Sequence, residues 1–147
     1  MSNEFRITGN LTRDPELRFT QSGKPVASFT VADNRRVRDQ SGTWGDGSTL
    51  FMPCVAWGAL GENVVESLRK GMAVAVVGRL ESNEYESNGV KVRGFELIAS
   101  DVSVSLHRQQ AAVKKTTPSP SGQGNGYNGY SPNTQFTTDH YTTGAPF

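Results

Sequence analysis

Only one stretch of this chain spaces its apolar residues for a helix. In "ALGENVVESLRKG", residues 59–71, Leu60, Val64, Val65 and Leu68 fall on one face at a period of about 3.6 residues. Arg69 and Lys70 suit the negative end of the helix dipole, and Gly71 is placed to end the helix. The remaining apolar runs before residue 110 alternate as strands do. "FRITGNL" carries Phe5, Ile7 and Leu11 on one side, and "PVASFTVAD" carries Ala27, Phe29 and Val31. A third strand is expected in "TLFMPCVAW". "MAVAVVGRLESNEYE" and "VKVRGFELIASDVSVS" read as two long strands joined by "SNG", a hairpin signal. Between the second and third strands, "RRVRDQSGTWGDGST" is polar with three glycines and reads as a hairpin loop.

The order is three strands, one helix and two strands. An all-β class with a single helix in that place is the order of an OB-fold, a five-stranded Greek-key barrel. The chain has 147 residues, and its composition changes sharply after Lys115. Residues 116–147 contain no Leu, Ile, Val or Met, but five Gly and four Pro, which cannot supply a packed core. The expected organisation is a barrel domain over 1–110 and a disordered polar tail over 111–147.

The third strand is apolar on both faces. Small and pliable side chains suit the curved interior of a small barrel, so Met52, Cys54 and Ala56 are assigned inward. Phe51, Pro53, Val55 and Trp57 then point outward. Outward aromatic rings on a barrel of this kind are platforms on which the bases of single-stranded nucleic acid stack, whatever their sequence. A subunit interface is the other use of such rings. Tyr85 adds to the first reading, because it lies among Glu81, Glu84 and Glu86, where a core aromatic is not expected. Basic side chains sit beside the candidate surface: Arg35, Arg36 and Arg38 in the first long loop, and Lys91 and Arg93 after the second. Residues 1–115 hold all fifteen Lys and Arg against thirteen acids, a net charge of +2. Aromatics interleaved with cations form the usual single-strand channel.

Several classes lack their parts. Neither H-E-x-x-H, a P-loop nor G-x-G-x-x-G occurs, and the only histidines are His107 and His140, so no enzyme and no cofactor is expected. The single cysteine, Cys54, excludes an internal disulfide and a Cys-rich zinc site, and no metal is expected. No run of 18 apolar residues is present, and "MSNEFRITGN" does not read as a signal peptide, so an intracellular, cytoplasmic protein is expected.

Over residues 3–108 the chain resembles bacterial single-stranded DNA-binding proteins. The resemblance rests on "ITGNLTRDPELRFTQSGKPVASFTVA", with its GNL turn, DPE-R segment and G-x-x-V-A-x-F strand, and on "ENVVESLRKGMAVAVVGRL". It implies a non-catalytic homotetramer that binds single-stranded DNA in replication, recombination or repair. It places Phe51, Trp57 and Tyr85 on aromatic positions of the DNA surface. Val37 falls where well-studied members carry a stacking Trp, and Trp44 is the candidate replacement, or else a ring packed on its own hairpin. The family's chain end is an acidic run closing in Pro-Phe that docks replication and repair proteins. Here Pro146 and Phe147 remain, but the nearest acid before them is Asp139. Weakened docking, and hence a specialised paralogue, is the expectation. The competing reading is an OB-fold interaction module of the primosome type.

Overall fold

The computed structural model describes residues 3–117. Its elements are β1 (Phe5–Leu11), β2 (Glu16–Phe19), β3 (Pro25–Arg38), β4 (Trp44–Trp57), α1 (Gly58–Ser67), β5 (Ala73–Ser87) and β6 (Val90–Val104). The strands run in the order β1-β5-β6-β4-β3-β2, and a β1–β3 pairing closes the sheet. Five strands therefore form a barrel, and β2 extends it from the free side of β3. The closing pairs are Asn10 with Ala32 and Leu11 with Val31. On the opposite wall β4 and β6 run parallel, joined at Cys54–Leu97 and Val55–Ile98. The barrel and its single helix are those expected from the sequence. The short β2 was not.

The interior follows from alternation. Ile7 and Leu11 of β1, Phe29 and Val31 of β3, Met52, Cys54 and Ala56 of β4, Val74 and Val76 of β5 and Leu97 of β6 are all buried in one cluster. α1 joins it through Val64, with Leu60 and Val65 at its margin, and Leu68, just past the helix end, is buried in the same cluster. Each such aliphatic side chain contributes about 1.5–3 kcal/mol when fully buried. α1 lies close against β4: a side chain at Gly61 would run into the Ala56 carbonyl oxygen and approach the Ala27 nitrogen to 3.1 Å.

α1 ends earlier than its periodicity suggested. Leu68 is already extended at φ −105° and ψ 147°, and no basic residue lies in the last turn. Leu68 instead turns into the core, and Lys70 N–H donates to Asp14 Oδ1 at 2.8 Å. Gly71 N–H donates to Leu11 O at 2.8 Å. These long-range bonds pull the chain out of the helix before Gly71. Arg69 still serves the helix end, because its Nη1 donates to the Val65 and Leu68 carbonyls at 2.6 and 2.7 Å.

Segment 35–49 is not a loop. β3 continues to Arg38 and β4 begins at Trp44, leaving a turn at Asp39–Thr43. The paired strands project as a ribbon with water on both faces, so no apolar alternation marks them. Asp39 organises the turn. Ser41 Oγ donates to its Oδ1 at 2.6 Å and Thr43 N–H at 2.9 Å, and these bonds hold the Asp39 carboxyl below its usual pKa. β5 and β6 form a second ribbon. Asn88 and Gly89, with φ of 52° and 76°, make the left-handed turn that "SNG" announced.

The compact unit closes at Ala112. Gln109 ties the chain after β6 back to β5, accepting from Ala73 N–H at 3.1 Å and donating to Ala73 O at 2.7 Å. Of the expected tail, residues 118–147, with Pro146 and Phe147, lie outside the described residues.

Candidate nucleic-acid interface

The outer face of β3 and β4 carries two of the expected rings. Phe51 sits opposite Ala32 and Trp57 opposite Val26. Small or short partners leave the rings uncovered, at 61% and 40% exposure. Six residues of strand put their Cα atoms about 20 Å apart. Between them Pro53 is exposed, but Val55 is only 8% exposed, against the outward assignment. Val55 stands outside the core cluster, in the middle of the sheet between Ser28 of β3 and Ile98 of β6, both half-buried. Leu50 shares the parity of Met52, yet it is exposed because it lies where the ribbon leaves the barrel.

Trp44 joins this face through a register shift. Asn34 pairs with Thr49, but Arg36 pairs with Asp46, so β4 spends one residue more than β3. Such a bulge inverts the parity of everything beyond it. Trp44, seven residues before Phe51, therefore returns to the face of Phe51 and Trp57. It lies opposite Arg38 and is 59% exposed. Thr49 Oγ1 donates to Asn34 Oδ1 at 2.8 Å beside the bulge. Arg36 and Arg38 share Trp44's face, and Arg38 Nε is held by the Gly42 carbonyl at 2.9 Å. Arg35 and Val37 take the other face, where Val37 lies 3.0 Å from the position a side chain on Gly47 would occupy. Trp44 and Val37 are thus on opposite sides of the ribbon.

Tyr85 is 53% exposed on the second ribbon, opposite Val92. Its Cε1 would sit 3.4 Å from a side chain on Gly94, so the bare backbone there gives the ring room. Lys91 and Arg93 are not on its side. They pair across with Glu86 and Glu84, and Arg93 Nε is 3.0 Å from Glu84 Oε1. A cation already bonded to a carboxylate is a weaker phosphate ligand than a free one. Phe95 shares their face, opposite Ser82, and is exposed.

Two further cations flank Trp57 and were not singled out in the sequence. Lys24 Nζ stands 5.3 Å from the Trp57 ring centroid. Arg18 of β2 pairs with Val26, which pairs in turn with Trp57. Cys54 takes no part in the surface. It is sealed in the barrel, where burial and then Glu96 push its thiol up to about 12.

Residues 2–105 match the Single-strand binding protein family. The chain belongs to that family. It is 48% identical over 130 residues to "Single-stranded DNA-binding protein 2" of Streptomyces coelicolor, aligning 86% of this chain with 63% of that protein. It is 47% identical over 131 residues to a single-stranded DNA-binding protein of Paenarthrobacter aurescens, covering 86% and 77% of the two chains. The chain thus spans less than two thirds of the first relative's length. The crystal structure of a small single-stranded DNA-binding protein from Streptomyces coelicolor superimposes with a TM-score of 0.65 at 28% identity. It covers 74% of this chain and 98% of that one. Among the described residues no helix is long and apolar enough to cross a membrane.

Proposed function

We propose that this chain binds single-stranded DNA without sequence preference and without catalysis, protecting it in replication, recombination or repair. The observation that carries this reading is the alignment of Trp44, Phe51 and Trp57 on one outer face, with Arg36 and Arg38 beside them. Each base stacked on such a ring contributes about 1–3 kcal/mol, and every base has a π-face to offer. Tyr85 provides a fourth platform on the β5–β6 ribbon. Arg36 and Arg38 contact phosphates beside these rings, whereas Arg35 and Lys91, on the opposite faces of their ribbons, do so only where the strand passes round a ribbon edge, and Arg93 only by leaving Glu84. The substrate places the protein with nucleoid DNA in the cytoplasm. Titration of the full chain with oligo-dT, read by tryptophan emission, tests the reading. Strong quenching supports stacking on Trp44 and Trp57. Unchanged emission would instead favour an OB-fold interaction module.

The working assembly in this reading is a homotetramer. β1 pairs with β5 from Phe5 to Asn10, but with β3 only at Asn10 and Leu11. Its other edge is therefore open from Phe5 to Thr8, and a symmetric copy can satisfy the free N–H and C=O groups. The outer face beside that edge is lined by the small side chains Thr8, Ala75 and Ser103, which suits face-to-face packing of two dimers. Light scattering at micromolar concentration should give four times the chain mass, and a monomer would refute it. Replication and repair proteins are contacted through Pro146 and Phe147. Asp139 is the one acid in residues 116–147 available to steer a basic pocket toward them, so we read that contact as weak and the role as that of a specialised paralogue.

A further inference from the structure

The turn between β2 and β3 holds Lys24 in a fixed frame. Thr20 N–H donates to Lys24 O at 2.9 Å, and Gly23 N–H to Thr20 O at 2.8 Å. Lys24 N–H donates in turn to Thr20 Oγ1 at 3.1 Å. From this frame the Lys24 side chain reaches over the Trp57 ring. Arg18, Val26 and Trp57 form one row across β2, β3 and β4. Leu17 packs against the core, so alternation turns Arg18 to the outer face, two strand spacings or about 10 Å from the Trp57 backbone. Among the described residues neither Arg18 nor Lys24 has a carboxylate within ion-pair distance, whereas Arg79 and Arg93 are bonded to Glu81 and Glu84. Glu16, next along the same face of β2, lies in the neighbouring row, opposite Ser28.

We propose that Arg18 and Lys24 carry the DNA path across β2, with Lys24 moving from the Trp57 ring to the phosphate of the nucleotide that stacks there. The proposal rests on the single-strand reading above and names residues that reading does not require. The chemistry follows from what Lys24 touches. An ammonium over an indole face is attracted to the ring's electrons, and it occupies the place a base would take. A base stacking on that face displaces it. Its three N–H donors then meet the incoming phosphate, while the Thr20–Lys24 turn keeps the stem within reach. Lys24 therefore opposes stacking through its hold on the ring and favours it through the phosphate. Only the second effect depends strongly on salt.

Salt titration separates these effects. Full-length Lys24→Ala, Arg18→Ala and the double variant are titrated with oligo-dT at several salt concentrations, with Trp57→Ala alongside. Each lost phosphate contact should lower the slope of log K against log salt by about 0.7. Arg18→Ala should be weaker than the unmodified chain throughout. Lys24→Ala should be weaker at low salt but equal or tighter at high salt, where the phosphate contact is screened and the freed ring remains. Unchanged slopes in both single variants, with Trp57→Ala still losing affinity, would overturn this proposal and leave the single-strand reading intact. Failure of the unmodified chain to bind oligo-dT would overturn both. All three side chains are partly exposed, and a thermal melt of each variant confirms that it is folded.

Discussion

Replacing Trp57 with alanine should weaken oligo-dT binding by about 1–2 kcal/mol. A stacked base contributes about 1–3 kcal/mol per ring. Trp57 belongs in the lower part of that range because 60% of it is already covered in the free protein and Lys24 must leave its face. At about 1.4 kcal/mol per factor of ten, the affinity should fall roughly 5- to 25-fold. Phe51 is more exposed, sits over Ala32 and has no cation to displace, so Phe51→Ala should cost at least as much relative to its ring size. The two Cα atoms are about 20 Å apart, beyond the range at which substitutions usually couple, so the costs should add within about 0.5 kcal/mol. Anisotropy of a labelled oligo-dT long enough to reach both rings, at one fixed salt concentration, measures all three variants. A Trp57→Ala affinity within twofold of the unmodified chain would refute stacking at that position. A double variant no weaker than either single would show that one strand does not engage both rings.

Cys54 should not react with a thiol reagent at pH 8 while the protein is folded, and should react at once in urea, because its thiol is buried. Its pKa is about 12 in the fold against 9.0 in the unfolded chain, so the folded state holds the proton more tightly. That contribution is fully present below pH 9 and is lost as pH rises toward 12, and the urea midpoint should fall over that interval. Gly61→Ala should destabilise the domain by about 1–3 kcal/mol, the range for overpacking, since α1 must move off the Ala56 backbone. Thermal unfolding should record a drop of several degrees, roughly 4–8 °C per kcal/mol for a domain of about this size.

The barrel was legible because each of its strands hides one face. Phe29 and Val31, or Met52, Cys54 and Ala56, leave a period-two trace that water on the other side sharpens. Trp57 and Phe51 were legible for the same reason, as large rings on the wrong parity for the core. The ribbons beyond the barrel left no such trace. Arg35–Arg38 and Trp44–Ser48 face water on both sides, so their pairing depends on backbone bonds that composition does not report. The bulge that returns Trp44 to the outer face of Phe51 and Trp57 lies in those backbone bonds as well. β2 was missed because it is four residues long and gives the core only Leu17. With β2 unseen, Arg18 had no place in the sheet, and Lys24 belonged to an unplaced turn. Phe95 shares the parity of Leu97 but is exposed, because the barrel ends between them. The helix ended early because Asp14 and Leu11, more than fifty residues back in the chain, bind Lys70 and Gly71.

The affinity of one oligonucleotide sequence as a single strand and as a duplex, in the same buffer and salt, tests the central claim most directly. Under the stacking proposal both forms present phosphates to Arg36 and Arg38, but only the single strand offers open base faces to Trp44, Phe51, Trp57 and Tyr85. Stacking requires single-strand binding at least a hundredfold tighter, the equivalent of about 3 kcal/mol or two modest stacks. Equal affinity for the two forms would mean that charge alone holds the DNA, and that the exposed rings of β4 and β5 serve something other than bases.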